Sequence, residues 1–213
     1  MINRLSLPWP AWAAAAAFVG LLIAYPPFRV VSKSVAQNAP VADGAFEPKS
    51  FAENFWSETL LPAANEAADA AGVLTALKRN TAEALKAHAH RVGLGNAAYF
   101  FIRGTGRVSA VERSRVLLDV DGAVIALRTG PVFGNTLRDG SGLIEVNDVP
   151  GLSEFNALSA ELNRLVEDRV QPALKSLTVG ATVRFAGCAE APESLPASGP
   201  LFTLVPVQAE VLP

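Results

Sequence analysis

The chain has 213 residues and a formal net charge of −2, from 18 basic and 20 acidic residues. A surface so close to neutral does not create the field that concentrates a polyanion, which argues against nucleic acid as a partner. The single cysteine, Cys188, excludes both an intramolecular disulfide and a cysteine-rich zinc site. We therefore expect a fold held by packing, without a metal or a cofactor.

The N-terminal segment from Leu5 to Phe28 has no ionisable side chain except the phenol of Tyr25. About 20 apolar residues suffice to cross a bilayer as a helix. The densest part, 11–25, is shorter, which leaves a cleavable signal-peptide core as an alternative. Because prolines follow the run and no small-residue cleavage site is evident, we expect an uncleaved membrane anchor within residues 1–33.

The short leading segment predicts that the start of the chain stays in the cytoplasm and that the remainder lies outside. Residues 34–48 are small, polar and interrupted by prolines, which is typical of a flexible linker.

Residues 49–95 then show a helical pattern. Phe51, Phe55 and Trp56 recur at helical spacing, and the pattern restarts at the proline of position 62, a residue tolerated in a first helical turn.

The last of three short helices is predicted to begin at Asn80, where Glu83 completes a capping pattern, and to end at Gly93. His88 and His90 would lie on its last turn. A spacing of two residues points helical side chains to different faces, so we expect surface histidines and no metal site.

Residues 96–213 change to a β pattern rich in aromatic and β-branched residues, and Asp121-Gly122 is a strong hairpin signal. If the runs before and after Gly104-Thr105-Gly106 form one long bent strand, the element order is β-β-β-α-β-β. The helix carries an apolar stripe from Phe155 to Val170, and Pro172 is expected to bend or end it. This order predicts an α+β fold with a five-stranded OB-like barrel, whose long helix lies between strands three and four.

Most chemical motifs have a structural explanation. Gly104-Thr105-Gly106 lacks the third glycine of a dinucleotide fingerprint and leads into a strand, so it is expected to let the strand bend or bulge. Asp119 and Asp121 flank a turn that favours aspartate, and are weak candidates for a glycosidase pair. Cys188 is expected to be a small buried residue of a strand.

The glycine-rich loop GPVFGNTLRDGSG, residues 130–142, holds the strongest candidates for a contact site. The planar guanidinium of Arg138 can bind a carboxylate or phosphate through two donors, and Asp139 can orient it or accept hydroxyls from a sugar. Structural ion pairs that fix the loop are the favoured interpretation, with a ligand contact as the alternative.

From Phe51 to the C-terminus the chain resembles the bacterial domain-of-unknown-function family 2291, predicted periplasmic lipoproteins. The resemblance depends on the order of several short motifs along the chain, since no single motif is specific enough. The matching segments are Trp56 and Pro62 with Ala68-Asp69, FFIRGTGRV, Ser114-Arg115, Val120-Asp121, Gly130-Pro131, Thr136, Leu137-Arg138-Asp139, Leu162-Asn163 and TVRFAG.

The resemblance implies a small helical domain followed by an OB-like barrel, and no established activity. It also implies an accessory role beside a sugar ABC transporter. Two departures stand out. Many relatives carry a lipid-anchoring cysteine where this chain reads Tyr25-Pro26-Pro27-Phe28, and Gly151-Leu152 replaces an expected Asn-Gln pair before the long helix.

These observations predict a single-pass protein of the bacterial inner membrane, anchored through residues 5–28, with a binding or assembly module in the periplasm. Its predicted ligand-binding residues are Gly130, Thr136, Arg138 and Asp139.

Two alternatives remain. One is an enzyme acting on carbohydrate or cell-wall material, with Asp139 and either Glu145 or Asp148 as acid and base. The other is a structural partner of a membrane complex, which predicts an exposed apolar patch around Phe51, Phe55 and Trp56.

Overall fold

The computed structural model describes residues 46–92 and 97–213. The predicted membrane anchor, residues 1–33, and most of the predicted linker lie outside the described residues. Within the two described ranges, no helix is both long enough and apolar enough to cross a membrane.

The first helix, α1, covers residues 48–66 in three segments: an α-helix Pro48–Asn54, a π-helical turn Phe55–Leu60 and an α-helix Leu61–Glu66. The predicted restart at Pro62 is wrong, because the helix runs through this proline. The wider π turn ends two residues before Pro62, and proline has no N–H that would need a helical acceptor. The chain leaves the helix at Ala67 instead, where ψ is 156°.

Two short helices follow a bridge, β1 (Ala68–Asp69). Helix α2 (Ala70–Arg79) begins where the Asp69 carboxylate accepts the Gly72 N–H at 2.9 Å. Helix α3 (Thr81–His88) begins at Asn80, whose side chain accepts the Glu83 N–H at 3.2 Å, which confirms Asn80 as the N-cap. The Asn80 N–H donates to the Ala76 carbonyl at 2.9 Å and not to the Glu83 side chain.

The predicted end of α3 at Gly93 is wrong, since the helix stops at His88 and Ala89 is extended. His90 belongs to a second bridge, β2 (His90–Arg91), which pairs with Tyr99 and its neighbour. Pairing with the sheet therefore replaces the last helical turn and separates the two histidines onto different elements.

Five longer strands form the barrel: β3 (Ala98–Val111), β4 (Arg115–Val120), β5 (Ala123–Arg128), β6 (Thr182–Glu190) and β7 (Thr203–Leu212). The single long β3 confirms the merged strand. It pairs with β6 from Tyr99 to Arg107 and with β4 from Arg107 to Val111. Its register shift lies between Val108 and Ala110, after the two glycines and not at them.

The barrel closes because β5 and β7 pair in parallel while β7 pairs with β6 and β6 pairs with β3. A two-residue turn joins β4 to β5: Asp121 and Gly122 have φ of 50° and 75°, so the predicted hairpin is confirmed. The Asp119 carboxylate accepts the Gly122 N–H at 2.7 Å. Both aspartates therefore serve the turn.

Between β5 and β6 lie α4 (Thr136–Ser141), a 3-10 turn (Val146–Asp148) and the long helix α5. Helix α5 covers residues 152–175 as Leu152–Leu165, a π turn Val166–Val170 and Gln171–Lys175. Its predicted apolar stripe is buried from Phe155 to Val170. A π turn again precedes a helical proline, Pro172, and the helix ends three residues later.

Helix α1 packs on α5, and both contribute to one hydrophobic core with the barrel. The exposed apolar patch expected around Phe55 and Trp56 is wrong, because these side chains are only 8% and 2% exposed. Their helical spacing turns them toward the core. Phe51 is half-buried, and its ring centroid lies 5.0 Å from that of Phe46.

Candidate functional site

The loop after β5 is fixed at its start by Gly130. The N–H groups of Thr129 and Gly130 donate to the Ser114 carbonyl at 2.9 and 3.0 Å, and the Gly130 carbonyl accepts from Gln171 Nε2 at 2.6 Å. A Cβ at Gly130 would lie 2.8 Å from that of Ser114, so a larger residue does not fit. Both backbone polar groups of Gly130 are therefore already paired.

Helix α5 fixes the middle of the same loop on either side of Phe133. The Val132 N–H donates to Glu167 Oε1 at 2.7 Å, and Asn163 Nδ2 donates to the Gly134 carbonyl at 2.9 Å. Between these two bonds the Phe133 side chain is 79% exposed. The loop thus holds a large aromatic ring in solvent on an anchored backbone.

Arg138 and Asp139, on α4, point inward and are 6% and 5% exposed. Arg138 Nε donates to Asp139 Oδ1 at 2.6 Å, and Arg138 Nη1 donates to the Phe155 carbonyl at 3.0 Å. The guanidinium carbon lies 3.7 Å from the centroid of the Phe155 ring. Asn135 donates to the second carboxylate oxygen of Asp139. These bonds join α4, α5 and the end of the loop.

Helix α4 in turn packs closely on β6 and β3. A Cβ at Gly140 would lie 2.7 Å from the Cβ of Cys188 and 3.4 Å from that of Tyr99. Burial and the nearby Asp139 carboxylate raise the pKa of the Tyr99 phenol. Burial likewise raises the pKa of the Cys188 thiol, which is 0% exposed, as expected for a buried strand residue.

A groove of about 460 Å³ lies between the loop that carries Phe133 and the β6–β7 connection, residues 191–202. Thr136 lines this groove, while Gly130, Arg138 and Asp139 do not. The lining combines aromatic rings with charged and hydroxyl groups: Arg128, Phe133, Thr136, Glu190, Glu193, Phe202 and Thr203. Such a mixture can pack against an apolar surface while it pairs several hydroxyls.

The carboxylates considered for acid and base catalysis are not brought together in any described pocket. Asp139 is bound to Arg138. Glu145 and Asp148 are exposed and cap each other's backbone in the 3-10 turn, with Asp148 Oδ2 accepting the Glu145 N–H at 2.7 Å. Likewise, no cluster of three or more potential metal ligands occurs among residues 46–92 and 97–213.

Phe133 is the residue that the sequence did not single out. It lies within the glycine-rich loop 130–142, between Gly130-Pro131 and Gly134, and a large aromatic residue among turn-forming residues is a signal that the sequence does offer. Its backbone is held by Glu167 and Asn163, which belong to a helix about thirty residues later in the chain. The turn-forming residues of the loop do not predict these long-range contacts.

Comparison with known proteins agrees with this architecture. The family model described as "Predicted periplasmic lipoprotein (DUF2291)" matches residues 18–210. The crystal structure of an OB-fold protein from Thermotoga maritima MSB8 is similar, with 27% identity and a TM-score of 0.70 over 78% of this chain and 99% of that one. No curated protein matches the chain.

Proposed function

Since this chain belongs to the DUF2291 family of predicted periplasmic lipoproteins, we propose that it is a membrane-attached periplasmic module that binds a carbohydrate in the groove beside Phe133. The observation that carries this proposal is the ring itself, 79% exposed on a backbone held from both sides by α5. Leaving a phenylalanine in water forgoes about 1.5–3 kcal/mol of burial. A ligand that covers the ring recovers that energy.

A sugar suits the groove because its ring offers an apolar face and an edge of hydroxyls. The apolar face stacks on Phe133, and the hydroxyls meet Glu190, Glu193, Arg128 and Thr136. Carboxylates accept from hydroxyls and a guanidinium donates to them. Because the anchored loop is already ordered, little conformational entropy is lost when the ligand binds.

Arg138 and Asp139 are positioning residues in this proposal. Asp139 holds Asn135 at the end of the loop, and Arg138 ties α4 to the Phe155 carbonyl. Thr136 begins the same helix and lines the groove. The ion pair therefore fixes the place of Thr136 without touching the ligand.

The test is a thermal unfolding screen of the full chain against neutral mono- and oligosaccharides, with calorimetry on any hit. A ligand at 100 times its Kd stabilises by about 2.7 kcal/mol, which is roughly 5–11 °C for a chain of this size. Phe133→Ala should weaken binding about tenfold or more. Val179→Ala, which truncates a 66% exposed side chain outside the groove, should leave binding unchanged. No shift with any sugar, or equal binding by Phe133→Ala, would overturn the proposal.

We further propose that the apolar run 5–28 attaches the module to the inner membrane beside a sugar ABC transporter. Support comes from the run itself, which has no ionisable side chain except the phenol of Tyr25 and is about long enough to cross a bilayer as a helix. Cys188 is fully buried in β6 and is not placed to carry a lipid. Deleting residues 5–28 should remove the protein from the membrane fraction, whereas Cys188→Ala should remain there. Release of Cys188→Ala, or retention of the deletion variant, would contradict this mode of attachment.

A further inference from the structure

A second cleft, of about 390 Å³, lies on the outer face of β3, β6 and β7 and shares no lining residue with the groove beside Phe133. One wall is the end of α1 and the start of α2, and the other is the β4–β5 turn. Its polar lining is Asn65, Asp69, Arg103, Thr105, Asp121, Arg184 and Gln208.

Two glycines of β3 bring these walls close to the strand. A Cβ at Gly104 would lie 2.9 Å from the Cβ of Ala70, at the start of α2. A Cβ at Gly106 would lie 2.9 Å from Val120 Cγ2, at the end of β4. The glycines therefore let two elements flank the strand, with the side chains of Arg103 and Thr105 pointing outward between them.

Two arginines lie on the floor of this cleft. Thr105 is the direct register partner of Arg184, so Arg103 is its diagonal neighbour, with Cβ atoms about 7 Å apart. Arg184 Nη1 pairs with Glu210 Oε2 at 3.1 Å. Within the part of the chain that the structure describes, Arg103 has no carboxylate oxygen within 4.0 Å. Its donors are available to a ligand.

The acidic residues of the cleft limit the charge of that ligand. Asp69 is the register partner of Arg103, but its Oδ2 accepts the Gly72 N–H at 2.9 Å. Asp69 and Asp121 balance the formal charges of Arg103 and Arg184 across the lining. A ligand with one negative charge at Arg103 therefore meets less repulsion from these two carboxylates than a dianion such as a phosphate monoester.

We propose that this cleft binds a small hydroxylated carboxylate of the sugar-acid class. The ligand carboxylate pairs with the planar fork of Arg103, which matches its two oxygens. Its hydroxyls meet the amides of Asn65 and Gln208 and the hydroxyl of Thr105. This site is independent of the groove beside Phe133.

The test measures thermal unfolding and calorimetric binding of the full chain with galacturonate, glucuronate and gluconate. At least one should raise the melting temperature by roughly 5–11 °C at 100 times its Kd. Arg103→Gln should weaken that binding about tenfold or more, as expected for losing hydrogen bonds to a charged group. Arg113→Gln removes the same charge from an exposed position outside the cleft, and should bind like the wild type.

Further controls distinguish a sugar-acid site from a general anion site and from the groove beside Phe133. Acetate, which has no hydroxyls, and inorganic phosphate should both bind at least tenfold more weakly than the best sugar acid. Phe133→Ala should retain sugar-acid binding, and Arg103→Gln should retain any response to neutral sugars. The proposal is overturned if none of the three acids binds, if Arg103→Gln binds them normally, or if acetate or phosphate binds equally well.

Discussion

Arg138 and Asp139 are neighbours in the sequence whose buried side chains pair with each other, Nε to Oδ1 at 2.6 Å. The same guanidinium covers the Phe155 ring at 3.7 Å and donates to the Phe155 carbonyl. One arginine therefore satisfies a buried carboxylate, an aromatic face and a helix carbonyl. Burying either charged group without the other would be costly, so the pair stabilises the fold only while both side chains are in place. Through these bonds Arg138 joins α4 to α5.

We expect Arg138→Ala to lower the free energy of unfolding by about 3–5 kcal/mol, because it leaves Asp139 buried without a counter-charge. In a chain of this size the melting temperature should fall by roughly 6–20 °C. Denaturant and thermal unfolding measure the effect. Arg113→Ala, an exposed control, should change stability by no more than about 0.5 kcal/mol. A loss below about 1 kcal/mol for Arg138→Ala would show that the pair is not a structural tie.

Gly140 should not tolerate a methyl group. An added Cβ would meet the Cβ of Cys188 at 2.7 Å, so Gly140→Ala forces α4 away from β6, at about 1–3 kcal/mol or more. Gly134→Ala is a useful comparison, because its φ of 82° is strained for alanine but nothing lies within 4 Å. Urea unfolding should show a loss of about 1 kcal/mol there. If Cys188→Gly fails to restore part of the stability of Gly140→Ala, the contact is not the cause.

Local signals explain why much of the fold is predictable. The Asp121-Gly122 turn, the Asn80 cap and the apolar stripe of α5 each depend on residues within a few positions of one another. The prediction that Gly104-Thr105-Gly106 lies within a strand is also confirmed. Together they yield an α+β chain in OB order before any long-range contact is known.

The candidate sites depend on contacts between distant segments, and the sequence does not predict these. Phe133 is held by residues of α5, and the Arg103 cleft combines four segments that were noted separately: Ala68-Asp69, FFIRGTGRV, Val120-Asp121 and TVRFAG. The predictions of two helix boundaries are wrong for a similar reason. The π turn before Pro62 and the sheet pairing of His90 are set by packing, and neither leaves a local signal.

The bond from Asn163 to the Gly134 carbonyl should control the order of the Phe133 loop. Asn163→Ala removes a buried donor, and we expect a loss of about 1–2 kcal/mol in unfolding free energy. Hydrogen exchange of the amides from Val132 to Gly134 should accelerate, since the loop loses one of its two anchors. Asn147→Ala, an exposed control on the 3-10 turn, should change neither quantity. Unchanged exchange at Val132 in Asn163→Ala would mean that Glu167 alone holds the loop.

Alkaline pH should destabilise the protein through Cys188 and Tyr99. Burial raises the pKa of the thiol above its ordinary value of 9.0, and burial with the Asp139 charge raises the pKa of the phenol above 10.0. The unfolded chain therefore releases each proton first, so the stabilisation is complete below these ordinary values and decreases as pH rises above them. Each proton adds a slope of up to about 1.4 kcal/mol per pH unit.

Urea unfolding between pH 7 and 11 measures this slope, and both Cys188→Ala and Tyr99→Phe should reduce it. Cys188→Ala should reduce the slope from about pH 9 and Tyr99→Phe only above about pH 10, because the slope begins at the ordinary pKa of each group.

Native Cys188 should also resist a thiol reagent at pH 8 and react once urea unfolds the chain. An alkaline slope unchanged in Cys188→Ala, or rapid labelling of the native chain, would show that the thiol is accessible to solvent.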